Sequence, residues 1–406
     1  MKDDKKVPQL RFPEFTDAWK QRELGEIAER VTRRNSSLES QTPLTISAEY
    51  GLIDQNKFFG KRIAAKDLSN YYLIQKGEFA YNKSTSNDAP WGAIKRLDCY
   101  NNGALSTLYI VFKIKDNKSC YSDFLVTYYG TSLWHKGVKE IATEGARNHG
   151  LLNVSPSDFF RTKLVIPQDF EEQRKIGAFF TQLDNTITLQ QRKLNSLQKL
   201  KKGLLQKMFP KKGENIPEIR FPEFSDAWKQ RKFSEVFEEY SEKKHPELPA
   251  LTIIQGKGTI LRDASDRNLL YDKANLASYK LVRKDDFIVH LRTFEGGLEK
   301  ANSDGIVSPA YHIFHGKNTD TRFFYPFFRS KYFIDALLKP HVYGIRDGKS
   351  IDIEGMKTIS FLVPSFEEQN KIGKFVETLD NTITLQQRKL ESLQKLKKGL
   401  LQQMFI

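Results

Sequence analysis

The chain has 406 residues, enough for two to three domains with cores of their own, and its 39% apolar and 12% aromatic content excludes a disordered tail. No apolar run approaches the roughly 18 residues of a membrane span, the charged start MKDDKKVPQL lacks a secretory segment, and two cysteines, Cys99 and Cys120, exclude a disulfide framework. These features point to a reducing cytoplasm and no membrane partner, and the net charge of +15 favours a polyanion.

In chain order, a segment at 1–22 carries RFPEFTDAWKQR, which returns at 220–231 with Ser225 in place of Thr16. A block at 23–165 follows, with short runs rich in β-branched and aromatic residues broken by Gly, Asn and Asp turns. That pattern predicts an α+β fold. Tyr71-Tyr72-Leu73-Ile74 through Phe79 and Gly103-Ala104-Leu105-Ser106 through Phe112 read as paired strands, and Phe124, Tyr128 and Trp134 as one aromatic-rich helix. The polar loops Lys83-Ser84-Thr85-Ser86-Asn87 and Arg147-Asn148-His149 offer the donors and acceptors that read base edges in a major groove.

A spacer helix is predicted over 166–210, starting near Phe170-Glu171-Glu172 after Pro167. Its apolar residues recur at alternating steps of three and four, the spacing of a coiled-coil seam through Leu183, Ile187, Gln190, Leu194 and Leu197. Lys201 fills a further polar slot of that seam. Between 165 and 212 stand ten basic residues against four acidic ones, so much of the positive charge gathers here.

Residues 211–231 form a linker and the second repeated segment. A second block at 232–362 shares the first one's skeleton but not its loops. Tyr279 through Phe287 and Gly305 through Phe314 match the earlier strands, Phe323, Phe327 and Phe333 the aromatic helix. The corresponding reading loops are Leu291-Arg292-Thr293 and Arg346-Asp347-Gly348-Lys349-Ser350. A second spacer helix over 363–406 repeats residues 183–206 at 379–402 with one change, Asn195 against Glu391. Its seam is Leu379, Ile383, Gln386, Leu390 and Leu393. The two helices are expected to pair antiparallel, giving a pseudo-two-fold internal repeat with two globular domains set apart by the pair. Gln190 and Gln386 are then register devices.

Three apparent motifs lack the context their chemistry needs. Asp88-Ala89-Pro90-Trp91 has Ala89 where an adenine methyltransferase needs proline, and no glycine loop precedes it. Gly344 to Ser350 resembles a phosphate loop with one residue too few between its glycines. His312 and His315 have no Cys or acidic ligand at zinc spacing. The chain therefore reads as a binder without chemistry of its own: no catalytic, cofactor or metal residues are assigned.

The paired RFPEF…DAWKQR starts, the Glu-Glu-Gln…Lys-Ile-Gly helices with LQKLKKGLLQ, and Gly145-Ala146-Arg147 leading to Leu151-Leu152-Asn153-Val154-Ser155 resemble the DNA-specificity subunit of type I restriction–modification systems. The second block departs at its end, where Gly344-Ile345-Arg346 is followed by Ile351-Asp352-Ile353. The resemblance implies two target recognition domains, each reading one half of a bipartite, asymmetric duplex site. It also implies helices that set the half-site spacing and dock two methyltransferase (modification) subunits, with restriction/motor subunits joining them. S-adenosylmethionine, ATP and Mg would be held by those partners and not by this chain. The alternatives are a stand-alone two-domain DNA-binding regulator and a scaffold for protein partners.

Overall fold

The computed structural model describes residues 6–47, 50–87, 89–116, 119–142, 150–264, 273–344 and 350–406. It divides into two compact units, residues 1–191 with 389–406, and residues 192–388. Each unit thus contains part of both long helices.

In the first unit an antiparallel sheet runs in the order Ala28–Arg30, Ile110–Ile114, Phe79–Asn82, Ala93–Arg96. Successive side chains of a strand point to opposite faces, so each central strand feeds two cores. Phe79, Tyr81, Ile110 and Phe112 enter a large aromatic core with Phe124, Trp134 and Phe159. Ala80 and Val111, between them in sequence, enter a smaller aliphatic core with Leu44, Leu52, Tyr72, Ile74 and Leu105. The hairpin Leu44–Ser47/Gly51–Asp54 and the ribbon Tyr72–Gln75/Asn102–Leu105 cover that smaller core.

The second unit repeats the order as Phe237–Tyr240, His312–Gly316, Phe287–Val289, Glu299–Lys300. The alternation repeats too: Phe287, Val289 and Phe314 face the large core, Ile288 and Ile313 the small one. The matched runs of the two blocks are therefore the same strands. The aromatic helix differs from expectation. Phe124 and Tyr128 lie on Ser122–Tyr129, but Gly130 ends that helix and Trp134 opens another, Trp134–Ile141. In the second unit Phe323 and Phe327 lie on Thr321–Phe328, which carries Pro326 in its last turn, and Phe333 opens a separate π-helical turn, Phe333–Leu338.

The long helices span Phe170–Lys207 and Phe366–Met404. At 1.5 Å per residue each runs roughly 55 Å. The carboxylate of Asp169 accepts from Glu171 N–H at 2.7 Å, and the hydroxyl of Ser365 accepts from Glu368 N–H at 3.3 Å, which caps the two starts. In the first unit the end of the second helix runs antiparallel to the start of the first: Lys397 pairs with Asp184, while Leu400, Met404 and Phe405 pack with Ile176, Phe180 and Leu183. The second unit repeats this with Lys201 on Asp380, and with Leu204 and Met208 packed among Ile372 and Val376. The two lysines in the apolar seam thus find carboxylates. Seam residues Leu194, Gln386 and Leu390 are buried and Leu183, Ile187, Gln190, Leu197, Leu379, Ile383 and Leu393 half-buried, whereas Leu189, Leu200, Leu385 and Leu396 are exposed.

The repeated RFPEF…DAWKQR segments act as clamps. Arg11 grips Glu172 through two hydrogen bonds at 2.6 and 2.8 Å, and Trp19 Nε1 donates to the same carboxylate at 3.2 Å. Arg220 grips Glu368 in the same way at 2.7 Å for both bonds. Leu10 N–H donates to Gln403 O and Ile219 N–H to Lys207 O, both at 2.9 Å. The junction of the two chain ends therefore has the same hydrogen bonding as the covalent linker.

Gly177 and Gly373, from the two Lys-Ile-Gly motifs, let each long helix approach the aromatic helix of its unit. A Cβ on Gly177 would lie 2.7 Å from Phe124 N, and one on Gly373 3.0 Å from Asp320 and Arg322 side-chain atoms. No helix among the described residues is long and apolar enough to cross a membrane.

Candidate nucleic-acid interface

The first candidate loop leaves strand Phe79–Asn82 and folds onto the chain just after 147–149. Thr85 donates to Gly150 O through both its N–H (2.6 Å) and its hydroxyl (3.0 Å). Leu152 N–H returns a bond to Lys83 O at 2.9 Å, and Ser84 bridges Leu151. Lys83 Nζ donates to Val154 O at 3.3 Å. Burial lowers its pKa, helped by the nearby Arg30 cation. Lys83 and Thr85 therefore hold the loop in shape, while Ser84, Ser86 and Asn87 stand exposed. Ser86 and Ala89 exchange backbone hydrogen bonds at 3.1 Å. Arg147, Asn148 and His149 lie outside the described residues. The chain reaches them through Gly150, which the first loop binds.

The second unit brings the corresponding segments together. Leu291 and Ser350, with His290, His312 and Ile351, line one cavity of about 60 Å³. Ser350 is exposed and sits on strand Ser350–Ile351, paired with Val342–Tyr343. Arg292 is exposed too and opens the short helix Thr293–Gly296. Thr293 departs from the expectation of a groove-facing donor. It is completely buried, and its hydroxyl accepts from His290 N–H at 2.7 Å, so it shapes the turn. Arg346, Asp347 and Lys349 lie outside the described residues. In both units the loop after the same central strand thus meets the described segment that follows the Gly-x-Arg sequence, and the exposed donors there differ.

Sequence reasoning weighed His312 and His315 only as zinc ligands and passed over His290. His290 is mostly buried, and burial first, then the nearby Arg329 cation, push its pKa down to about 4. It is a neutral packing group at physiological pH. His312 Nδ1 lies 2.7 Å from Glu239, and His315 Nδ1 lies 2.7 Å from the buried carboxylate of Asp286, which also meets Tyr240 and Arg283 N–H. Among the described residues no group of three or more His, Cys, Asp or Glu could hold a metal ion.

Among the described residues the surface can offer hydrogen bonds and positive charge, but it shows no convergent nucleophile, base and anion-stabilising group. The family described as "Type I restriction modification DNA specificity domain" matches residues 16–199 and 225–395, one match in each half. The "Type I restriction enzyme MjaVIII specificity subunit" of Methanocaldococcus jannaschii is 25% identical over 306 residues, 70% of either chain. The "Putative type I restriction enzyme MjaX specificity subunit" of the same organism is 21% identical over 411 residues, covering 96% of this chain and 93% of that one. A crystal structure of a type I restriction–modification system S subunit from M. genitalium has the same fold, with TM-score 0.60 and 13% identity over 98% of this chain and 99% of that one.

Proposed function

From the premise that this chain belongs to the type I restriction–modification DNA specificity family, as a specificity subunit and not a catalytic one, we propose that each divergent block reads one half of a bipartite, asymmetric duplex site. The bounds we give these target recognition domains are 23–165 and 232–362. The exposed donors Ser84, Ser86, Asn87, Arg292 and Ser350, together with Arg147, Asn148, His149, Arg346, Asp347 and Lys349, are the residues we assign to DNA. Phosphate contacts supply salt-dependent affinity, and a few base contacts in each half supply specificity.

The observation that carries this reading is the contrast between frame and insert. The buried clamps Arg11–Glu172 and Arg220–Glu368 and the seam pairs Lys397–Asp184 and Lys201–Asp380 recur, while the loops between them do not. A repeated frame suits two copies of one partner. The exposed pairs Leu189/Leu385 and Leu200/Leu396 repeat an apolar surface on the helices, and there we place two methyltransferase subunits. S-adenosylmethionine, ATP and Mg²⁺ reside on those subunits and on the restriction/motor subunits, in a cytoplasmic complex. The helices serve as the ruler between half-sites, which lie a whole number of helical turns apart, at ~34 Å per turn. A stand-alone regulator finds no support in the relatives.

The test is domain exchange followed by mapping of methylated adenines in cells that express the chain with its methyltransferase subunit. Replacing 232–362 by the same block of a relative is expected to change one half-site and leave the other and the gap intact. A change in both half-sites would refute the modular reading.

A further inference from the structure

One feature of the first unit is absorbed neither by the reading loops nor by the frame. The hairpin Leu44–Ser47/Gly51–Asp54 ends in a one-turn helix, Gln55–Phe59. The carboxylate of Asp54 caps it, accepting from Asn56 and Lys57 N–H, and Gly60 stops it with φ +64. The turn holds Phe58 and Phe59 edge to face, with ring centres 4.9 Å apart. Both are 46% exposed, the most exposed phenylalanines among the described residues, and Ile63 beside them is 52% exposed. A monomer gains nothing from offering two phenyl rings to water on a capped, rigid turn.

The charge around the rings indicates what covers them. From 55 to 66 the chain reads QNKFFGKRIAAK, with four cations and no acid. Lys57, Lys61, Arg62 and Lys66 are exposed, and none forms an ion pair among the described residues. Arg62 instead donates to Ala65 O and Lys66 O, both at 2.8 Å, which braces the loop and leaves its charge uncompensated by any carboxylate. The second unit has a matching hairpin, but there Leu261 is followed over the same length by RDASDRNLLYDK, with a lone aromatic residue, Tyr271, and three aspartates in place of the paired phenylalanines and acid-free run of the first.

We propose that Phe58 and Phe59 form an apolar wedge that presses into a groove of duplex DNA at the half-site read by the first block, with Lys57, Lys61 and Lys66 holding the flanking phosphates. The proposal rests on the specificity-subunit reading and adds to it a site and a deformation. Inserted apolar side chains unstack a base step and kink the duplex, and phosphates on either side answer the surrounding cations.

The experiment uses the full chain assembled with its methyltransferase subunits and a fluorescent duplex carrying the site mapped by methylation. F58A/F59A is expected to weaken binding about tenfold or more, the scale of lost base–aromatic contacts, and to abolish the bend read by end-to-end energy transfer. F58L/F59L, still apolar, is expected to restore most of both. The salt slope of the alanine variant is expected to match wild type, whereas K57A/K61A lowers it by about 0.9 for each phosphate lost. The unit's melting temperature is expected to stay unchanged in F58A/F59A, since both rings are exposed. Wild-type binding and bending in F58A/F59A would overturn the proposal. So would loss of methyltransferase subunits from that variant, which would make the patch a protein-docking surface. If the wild-type complex binds no specific duplex, the specificity reading falls and takes the wedge with it.

Discussion

Glu172 sits where a single substitution tests the frame. Its carboxylate is fully buried and holds the Arg11 guanidinium and the Trp19 indole at once. In Glu172→Ala, Arg11 keeps its charge, because the pair raises an already high pKa and a guanidinium does not deprotonate. Breaking a buried pair from one side costs about 3–5 kcal/mol, and the orphaned indole N–H about 1 kcal/mol more. In a unit of roughly 200 residues each kcal/mol lowers Tm by about 2–4 °C, so a fall of about 8–24 °C is expected. Glu368→Ala breaks the equivalent clamp of the other unit, but among the described residues Trp228 Nε1 already lacks a partner there, so its cost is about 1 kcal/mol smaller. Glu171→Ala, which removes an exposed pair with Arg174, is the control and is expected to do nothing measurable. Differential scanning calorimetry of the full chain reads all three. A fall in Glu172→Ala no larger than in Glu171→Ala would refute the idea that the clamp holds block to helix.

Gly177→Ala drives a methyl group into the backbone of Asp123 and Phe124, so the first unit is expected to lose about 1–3 kcal/mol in urea denaturation. Gly203→Ala, on an open helix face, is expected to gain about 1 kcal/mol instead. His290 has a folded pKa of about 4 against an ordinary 6.5. Its contribution is therefore full above pH ~6.5 and is lost as pH falls towards 4, because the unfolded chain takes up the proton first. Tm of the second unit is expected to drop across that window by the equivalent of ~3 kcal/mol. His290→Gln should flatten that part of the profile, and an unchanged profile would place the titrating group elsewhere.

Both helix starts, at Phe170 and Phe366, were readable from Pro, acidic residues and the three–four seam, because local chain chemistry sets a helix end. The strands were readable from their β-branched and aromatic runs. The aromatic helices were misread as continuous because a side-chain period carries no record of where the backbone hydrogen bonding stops, after Tyr129 and after Phe328. Least legible were the reading loops. Nothing local distinguishes Thr293, sealed under its own turn, from the exposed Arg292 beside it. Lys83 reads as a free cation in sequence, yet it spends its donor on Val154 O, 71 residues away.

The sequence by itself determined that this is a doubled frame with two different inserts, because repeated residues and a helical period are local properties that survive without coordinates. It also determined which stretches are repeated and which diverge, since that can be read directly along the chain. Only the tertiary structure decided which polar residues remain available to a partner. Availability depends on hydrogen bonds closed across large sequence separations, such as Thr85 to Gly150 and Arg11 to Glu172, and those follow from how the blocks fold back on themselves. The exposure of Phe58 and Phe59 was decided in the same way. In composition they are two more core aromatics, and a capped turn on a hairpin puts them in water.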